Sequence, residues 1–378
     1  MNMAFLRFFT AVSCLVFSCA FLSATSSKSA KKHALQATKA IRKLPKTVAL
    51  SKSEILKMAL FIEQKLPREL KRHKTYFSRK NTRLARSIQV DPKNGKVYIH
   101  LREHGTRRIG QGTNKLVTNT IVYDRKKPEL VAHAENAVVM HNEIQAIKDL
   151  AGKSGMYKVY SILERKKTKQ VTFISKLYDT NLQSFLLKKG KKISLRQKIR
   201  LASDIIRGVD SMHRRKYAHR DLSLKNYFVK RIGKSYRAVV GDLGRAIKNG
   251  IGEDRGAQGG YGVNAPEGYS CHKLKGDDYL ATDVYALGCV FWRILYNKKP
   301  VWYDEGIMKN HSIPVEMRQA RLIQLLNAYI NAEKKKKSSS VHGKFKSVIL
   351  EMIAPYPQNR PNASQVRKRL KYIWEKVK

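Results

Sequence analysis

The sequence predicts an α+β fold, a smaller strand-rich part followed by a larger helical part, and three observations carry that expectation. The composition can build a core, a glycine-bearing strand pattern occupies residues 109 to 136, and an ordered series of motifs runs from about residue 105 towards the C-terminus. Of 378 residues, 42% are hydrophobic and 9% aromatic, enough apolar surface to offset the entropy of ordering the chain. The balance of 77 Lys+Arg against 28 Asp+Glu gives a formal net charge of +49, which sets the chain apart from an ordinary cytosolic metabolic enzyme. A field of that sign attracts polyanions, so nucleic acid, acidic membrane surfaces and nucleotide phosphates are the partners it admits. Charge alone does not choose among them.

Residues 1–24 read as a secretory signal peptide: Arg7 precedes an apolar run from Phe8 to Leu22, and small and polar residues follow. The run is short for a membrane span, and an uncleaved N-terminal membrane anchor is the alternative. Two of the four cysteines, Cys14 and Cys19, fall in this segment; Cys271 and Cys289 are too few for a disulfide framework and do not have the spacing of a zinc site. Residues 25–90 form a basic, partly helical extension, with 18 Lys/Arg against 3 acidic residues up to position 88. Inside it, Ser51 stands three residues before Glu54 in a capping-box spacing, Ile55, Met58, Ala59, Ile62 and Leu66 recur at the helical period, and Pro67 ends the pattern. That amphipathic face suits packing on the neighbouring domain or an acidic membrane surface or partner. The run from Glu333 to Ser340 reads as a solvated loop insertion.

From residue 105 onward the motifs take on an order. A helical pattern from Leu201 leads into H-R-D-L-S-L-K-N at His219 to Asn226 and then a short strand; G-D-L-G begins at Gly241, A-P-E at Ala265, D-V-Y-A-L-G at Asp283, and N-R-P carries Arg360. This series resembles the eukaryotic-type protein kinases over about 270 residues. The resemblance implies a bilobal fold, with a β-rich N-lobe over residues 100–177 and a helical C-lobe over 178–375, and it implies ATP and Mg²⁺ as the nucleotide and metal.

Phosphoryl transfer explains why these residue types are needed. It requires an acceptor hydroxyl held in line, metal ions to neutralise phosphate oxygens, and donors that fix the triphosphate. By resemblance, Asp221 orients the acceptor hydroxyl or accepts its proton, and Asn226 and Asp242 hold Mg²⁺ through hard oxygen ligands. Leu243 stands where the family usually has Phe. Asp283 is expected to brace the catalytic-loop backbone, and Glu267 and Arg360 to form a structural ion pair.

The small lobe departs from the pattern. Gly110 and Gly112 fit a phosphate-covering loop, but Lys115 takes the third glycine position. One strand later, Val131 and Ala132 match V-A-I-K, while Ala134 occupies the place of the ATP-binding lysine. Two explanations compete: a pseudokinase that has lost phosphate anchoring, or a relocated charge. The second is similar to the with-no-lysine kinases, which carry their lysine at that loop position. Strand alternation puts Lys115 on the face of Val117, the residue expected over adenine, so a stem reaching about 6 Å could bring its ammonium to the phosphates. Glu143 fits the helix glutamate that would pair with it. Ile174 to Leu177 are expected to form the hinge, with Ser175 and Leu177 offering backbone groups to adenine and Ile174 at its entrance.

Between Asp242 and Glu267 the only hydroxyl residue is Tyr261, so Glu253 or Asp254, or phosphorylated Tyr261, is expected to face Arg220. Ser223 and Gly260 depart from the serine/threonine pattern, and Lys225 sits where tyrosine kinases have Arg; Ser/Thr is preferred on family frequency. The expected partner is a protein substrate. No motif for specific nucleic-acid recognition is present. A kinase with an export signal needs ATP where it acts, which points to delivery into a host cell or a nucleotide-containing lumen.

Overall fold

The protein is described by a computed structural model at residues 85–91, 96–101, 110–111, 115–123, 128–136, 141–165, 170–248, 263–269, 274, 278–336 and 338–377. The signal peptide, nearly all of the basic extension with its amphipathic helix, Gly112, Glu253, Asp254, Gly260, Tyr261 and Cys271 lie outside the described residues. The chain forms two compact units, one reaching Val139 and resuming at Val159–Leu177, the other comprising Met140–Lys158 and the chain from Tyr178 onward.

The small unit is an antiparallel sheet. Its strands are β1 (Ala85–Val90), β2 (Val97–Leu101), β3 (Gly110–Gln111), β4 (Lys115–Tyr123), β5 (Pro128–Asn136), β6 (Val159–Arg165) and β7 (Gln170–Lys176). They lie in the order β1-β2-β4-β5-β7-β6, with β3 beside the start of β4. The first strand begins within the segment whose composition marks it as extension. Asp91 N–H to Lys96 C=O, 2.9 Å, closes its hairpin with β2. Tyr98, Val122, Val131, Leu163 and Ile174 make one buried cluster. Beside it the Ser161 hydroxyl donates to Asp91 Oδ2 at 2.9 Å, which leaves its oxygen to accept from Tyr98 Oη at 2.5 Å. Buried hydroxyls thus satisfy one another in series, avoiding the cost of an orphaned polar group.

The large unit holds α1 (His141–Leu150), β8 (Thr180–Asn181), α2 (Leu182–Lys189), α3 (Leu195–His213), β9 (Tyr217–Ala218), β10 (Tyr227–Ile232), β11 (Ser235–Val240), β12 (Ile247–Lys248), α4 (Asp278–Tyr296), α5 (Glu305–Met308), α6 (Val315–Lys334), α7 (Val341–Met352) and α8 (Ala363–Glu375). Local chemistry sets the helix starts. Asn181 caps α2 through Ser184 N–H, Ser194 caps α3 through Gln197 N–H, and Asn362 with Gln365 forms a capping box on α8. The loop after α1 is tied down at Gly155, whose φ of 79° favours glycine and where an added Cβ would lie 2.3 Å from Gly208 N in α3. Gly155 C=O accepts from Val240 N–H at 2.9 Å, so α1 belongs to the body that carries β11. The lysine run read as a loop begins inside α6, where Glu333 pairs with Lys346 of α7 at 2.5 Å. Among the described residues no helix is long and apolar enough to cross a membrane.

Candidate active site

The large unit builds its catalytic segment on one buried carboxylate. The apolar side of α3, with Ile199, Ala202, Ile205, Ile206 and Val209, is buried and directs the chain through β9 to His219. Asp283 of α4 then accepts His219 N–H at 2.7 Å, Arg220 N–H at 2.9 Å and His213 Nε2–H at 3.0 Å. These bonds hold Arg220 at φ 65°, a region that costs a non-glycine residue about 1–3 kcal/mol. The expected bracing role of Asp283 is what the geometry displays, and His213 is a third partner that the motif pattern does not reveal. His219 links the next piece: its Nε2 lies 2.9 Å from Gly241 C=O and must donate there, while Nδ1 accepts Asp221 N–H at 3.3 Å, which makes the ring the neutral tautomer.

Asp221, Asn226 and Asp242 are brought together by the same backbone logic. Asp221 C=O accepts from Ser223 N–H at 2.9 Å and from Asn226 Nδ2 at 2.8 Å. With its nitrogen so committed, the Asn226 side chain presents Oδ1, which accepts no hydrogen bond among the described residues. Asn226 C=O accepts Gly241 N–H at 2.9 Å, tying the asparagine to the residue before Asp242. Asp242 itself sits at φ 52°, a left-handed conformation Asp tolerates better than most residues. An amide oxygen and a carboxylate on adjoining backbone fit Mg²⁺, which takes one or two protein oxygens and leaves its other positions to phosphate and water. The Asp221 carboxylate has no protein partner among the described residues, so it is available to an acceptor hydroxyl. Lys225 is exposed, and its ammonium pairs with no carboxylate among the described residues.

Glu143, in the first turn of α1, is buried at 3% exposure. Burial pushes the Tyr157 hydroxyl well above its ordinary pKa, and the negative charges of Glu143 and then Asp242 add to that rise. Tyr157 meets the edge of Phe228 at 6.0 Å, and Phe228 stacks on Tyr178 at 5.6 Å. Gly241 leaves room for this ring, since a Cβ there would lie 2.2 Å from Phe228. The guanidinium of Arg220 lies over the Tyr279 ring at 5.1 Å, a cation–π contact that composition does not announce. Bidentate pairing of Arg360 with Glu267, at 2.5 and 2.8 Å, follows the sequence expectation. Arg360 also donates to Ala354, Ala281 and Pro355 carbonyls.

In the small unit the register is explicit. Gly110 pairs with Val117, Val117 with Ala134, and Lys115 with Asn136. Ala132 pairs with Asn119 on one side and Ser175 on the other, and Ala134 pairs with Phe173. Ala132 is buried, whereas Val117 and Ser175 are half-buried. The Lys115 side chain lies outside the described residues. Ile174 differs from expectation: it pairs with His133 and is fully buried among Tyr98, Val122, Val131 and Leu163, so it does not stand at the hinge entrance. A one-residue step exchanges the faces of a strand, and Phe173 and Ser175 take the register of Ala134 and Ala132 instead. The strand runs to Lys176, and Leu177, buried, is the last residue of the unit.

Residues 104–372 match the family model for the protein kinase domain. A serine/threonine-protein kinase 40 of Xenopus tropicalis is 27% identical over 191 residues, 49% of this chain and 38% of that protein. A dual serine/threonine and tyrosine protein kinase of Xenopus laevis is 29% identical over 121 residues, 32% of this chain and 12% of that protein. A probable serine/threonine-protein kinase WNK6 of Oryza sativa subsp. japonica is 29% identical over 153 residues, 39% of this chain and 33% of that protein. The matches thus cover well under two thirds of each relative. With the model spanning most of the chain and its motif residues gathered in the large unit, the chain belongs to the protein kinase family.

Proposed function

We propose that the protein transfers the γ-phosphate of ATP to a protein hydroxyl, serine or threonine in preference to tyrosine, with Lys115 supplying the phosphate-binding cation that Ala134 cannot. The observation that carries this reading is the Asp221 carboxylate left without a protein partner among the described residues, beside an Asn226 and Asp242 joined through Gly241. Asp221 orients the acceptor hydroxyl; its oxygen bonds to the γ-phosphorus as the bond to the β,γ-bridging oxygen breaks, ADP leaves, and the hydroxyl proton passes to Asp221 and then to water. Bound Mg²⁺ would neutralise phosphate oxygens from the oxygens of Asn226 and Asp242. Neutral His219 holds Asp221 N–H and Gly241 C=O in one arrangement, so base and metal ligands are pre-set before substrate arrives.

Support for Lys115 comes from register. Ala134 pairs with Val117, and Lys115 lies two residues before Val117, about 7 Å along the strand. That offset is comparable to the reach of a lysine stem of about 6 Å. Ala134 also favours a second reading, a kinase-fold protein that binds nucleotide or an acidic surface without transferring phosphate. Incubation of the full chain with Mg-ATP separates them: autophosphorylation that disappears in Lys115→Met supports transfer through Lys115, and its absence in the unaltered protein rejects it. The leader and basic extension make the protein an exported one acting in a host cell or nucleotide-containing lumen, with the extension meeting an acidic membrane or partner. Fractionation of cells with and without residues 1–24 tests the export.

A further inference from the structure

One carboxylate of the large unit draws three elements together without being needed as base or metal ligand. Asp149 stands in the last turn of α1, where that helix meets β9 and β12. Its Oδ1 accepts from Gln145 Nε2, one turn back on α1, at 2.8 Å. Its Oδ2 accepts from the Tyr217 hydroxyl of β9 at 2.6 Å and lies 3.5 Å from Lys248 Nζ of β12. Both oxygens are therefore committed, which fixes the carboxylate. Lys248 also lies over the Tyr217 ring at 5.3 Å, and the two residues pair across β9 and β12, so the partners of Asp149 hold each other. β9 ends at Ala218, directly before His219, and β12 begins at Ile247, five residues after Asp242. On α1, buried Glu143 precedes Asp149 by six residues, about 9 Å along the helix axis. The cluster thus ties the helix of Glu143 to the strand that enters the catalytic segment and to the strand that follows Asp242.

Such a cluster adds little to stability. Asp149 and Lys248 are partly in water, where an ion pair contributes weakly, and the apolar packing of these elements comes from other residues. Ala146, Ile147 and Leu150 are the buried apolar residues of α1, and Ala218 and Ile247 form a buried cluster with Tyr279. Apolar burial is non-directional, so it resists separation of α1 from the strands better than it resists rotation of the helix about its axis or a slide along them. Hydrogen bonds have preferred angles, and several converging on one carboxylate from three elements oppose those smaller movements. The cluster is therefore suited to setting position more than to holding the fold together.

We propose that Asp149 is a positioning residue for phosphoryl transfer, the tether that keeps α1, and Glu143 with it, in register with the strands flanking His219–Asp221 and Asp242. This role rests on the proposed function, in which Glu143 orients the cation that binds the phosphates. The test compares the unaltered full chain with Asp149→Ala, Asp149→Asn, Tyr217→Phe and Asp149→Ala/Tyr217→Phe. Three quantities are measured: autophosphorylation against Mg-ATP concentration, thermal unfolding, and amide hydrogen exchange of residues 141–150. Asp149→Ala is expected to raise the apparent KM for Mg-ATP about tenfold and to lower the maximal rate about tenfold, because a shift of about 1 Å in a positioning group can cost up to about a hundredfold. Its melting temperature should fall by a few degrees at most, while exchange in α1 becomes about tenfold faster. Asp149→Asn keeps an acceptor for Tyr217 and loses only the exposed ion pair, so it should stay within about threefold of the unaltered protein. The double variant should be no worse than Asp149→Ala, since both changes sever one link. An unchanged KM in Asp149→Ala overturns the proposal even where the maximal rate falls, because loss of folded protein alone lowers the rate. Additive effects of Asp149→Ala and Tyr217→Phe overturn it as well. An unaltered protein that transfers no phosphate would remove the proposed function and the positioning role with it, whereas α1 exchange left unchanged by Asp149→Ala marks failure of the tether itself.

Discussion

The catalytic segment of the large unit and the glycine-bearing strands of the small unit solve their chemical tasks in opposite ways. From His219 to Asp242, each functional side chain depends on a backbone position held by another: Asp283 holds His219 and Arg220, His219 holds Asp221 and Gly241, and Asn226 holds Gly241. In the proposed reading, a base at Asp221 and metal ligands at Asn226 and Asp242 have no neighbouring position to move to. In the small unit the proposed function requires a single positive charge near the phosphates, and a charge on a flexible four-carbon stem can be carried from any nearby strand position. Hence Asp221, Asn226 and Asp242 stand in motif, whereas the lysine is missing at Ala134 and a lysine appears at 115.

Breaking the rigid side should have the largest effect. Asp221→Asn is expected to lower phosphoryl transfer by about 10²–10⁴-fold with the melting temperature little changed, measured by phosphate incorporation beside thermal unfolding. Asp283→Ala removes the acceptor of three donors and is expected to cost about 3 kcal/mol or more in denaturant unfolding, because buried His213, His219 N–H and Arg220 N–H lose their partner together. Ile174→Ala probes the small unit's cluster and is expected to destabilise by about 2–5 kcal/mol through the cavity it leaves. Nucleotide affinity should change far less, since Ile174 packs with Tyr98 rather than at the hinge entrance.

Acid supplies the smallest test. The hydrogen bond from Tyr217, 2.6 Å long, leads the causes that hold the Asp149 carboxyl below the usual Asp range. A carboxyl lowered in the folded state contributes stability above its unfolded pKa of about 3.9, and that contribution is lost as pH falls through the lower folded value. Thermal unfolding between about pH 5 and 2 should therefore fall more gently for Tyr217→Phe than for the unaltered protein, a modest difference because Asp149 is near solvent.

The motifs made the large unit's site legible because phosphoryl chemistry restricts which residues can serve and at what spacing. Glu267 with Arg360, and Asp283 with the catalytic loop, could be read for the same reason. Arg220 on Tyr279 and His213 on Asp283 could not, since each pairing joins residues far apart in sequence through packing that no local pattern encodes. Ile174 was legible as a strand residue but not as to face, because one step of register reverses the face and several adjacent residues are apolar. The strand Ala85–Val90, which pairs with Val97–Leu101, is hidden in a segment whose lysines and arginines dominate its composition.

The relocated lysine is tested most directly by phosphoryl transfer in three proteins: the unaltered chain, Lys115→Met, and Lys115→Met combined with Ala134→Lys. The account predicts transfer in the first, loss of at least about a hundredfold in the second, and partial recovery in the third as a cation returns one strand away. Transfer by Lys115→Met at the rate of the unaltered protein would contradict it.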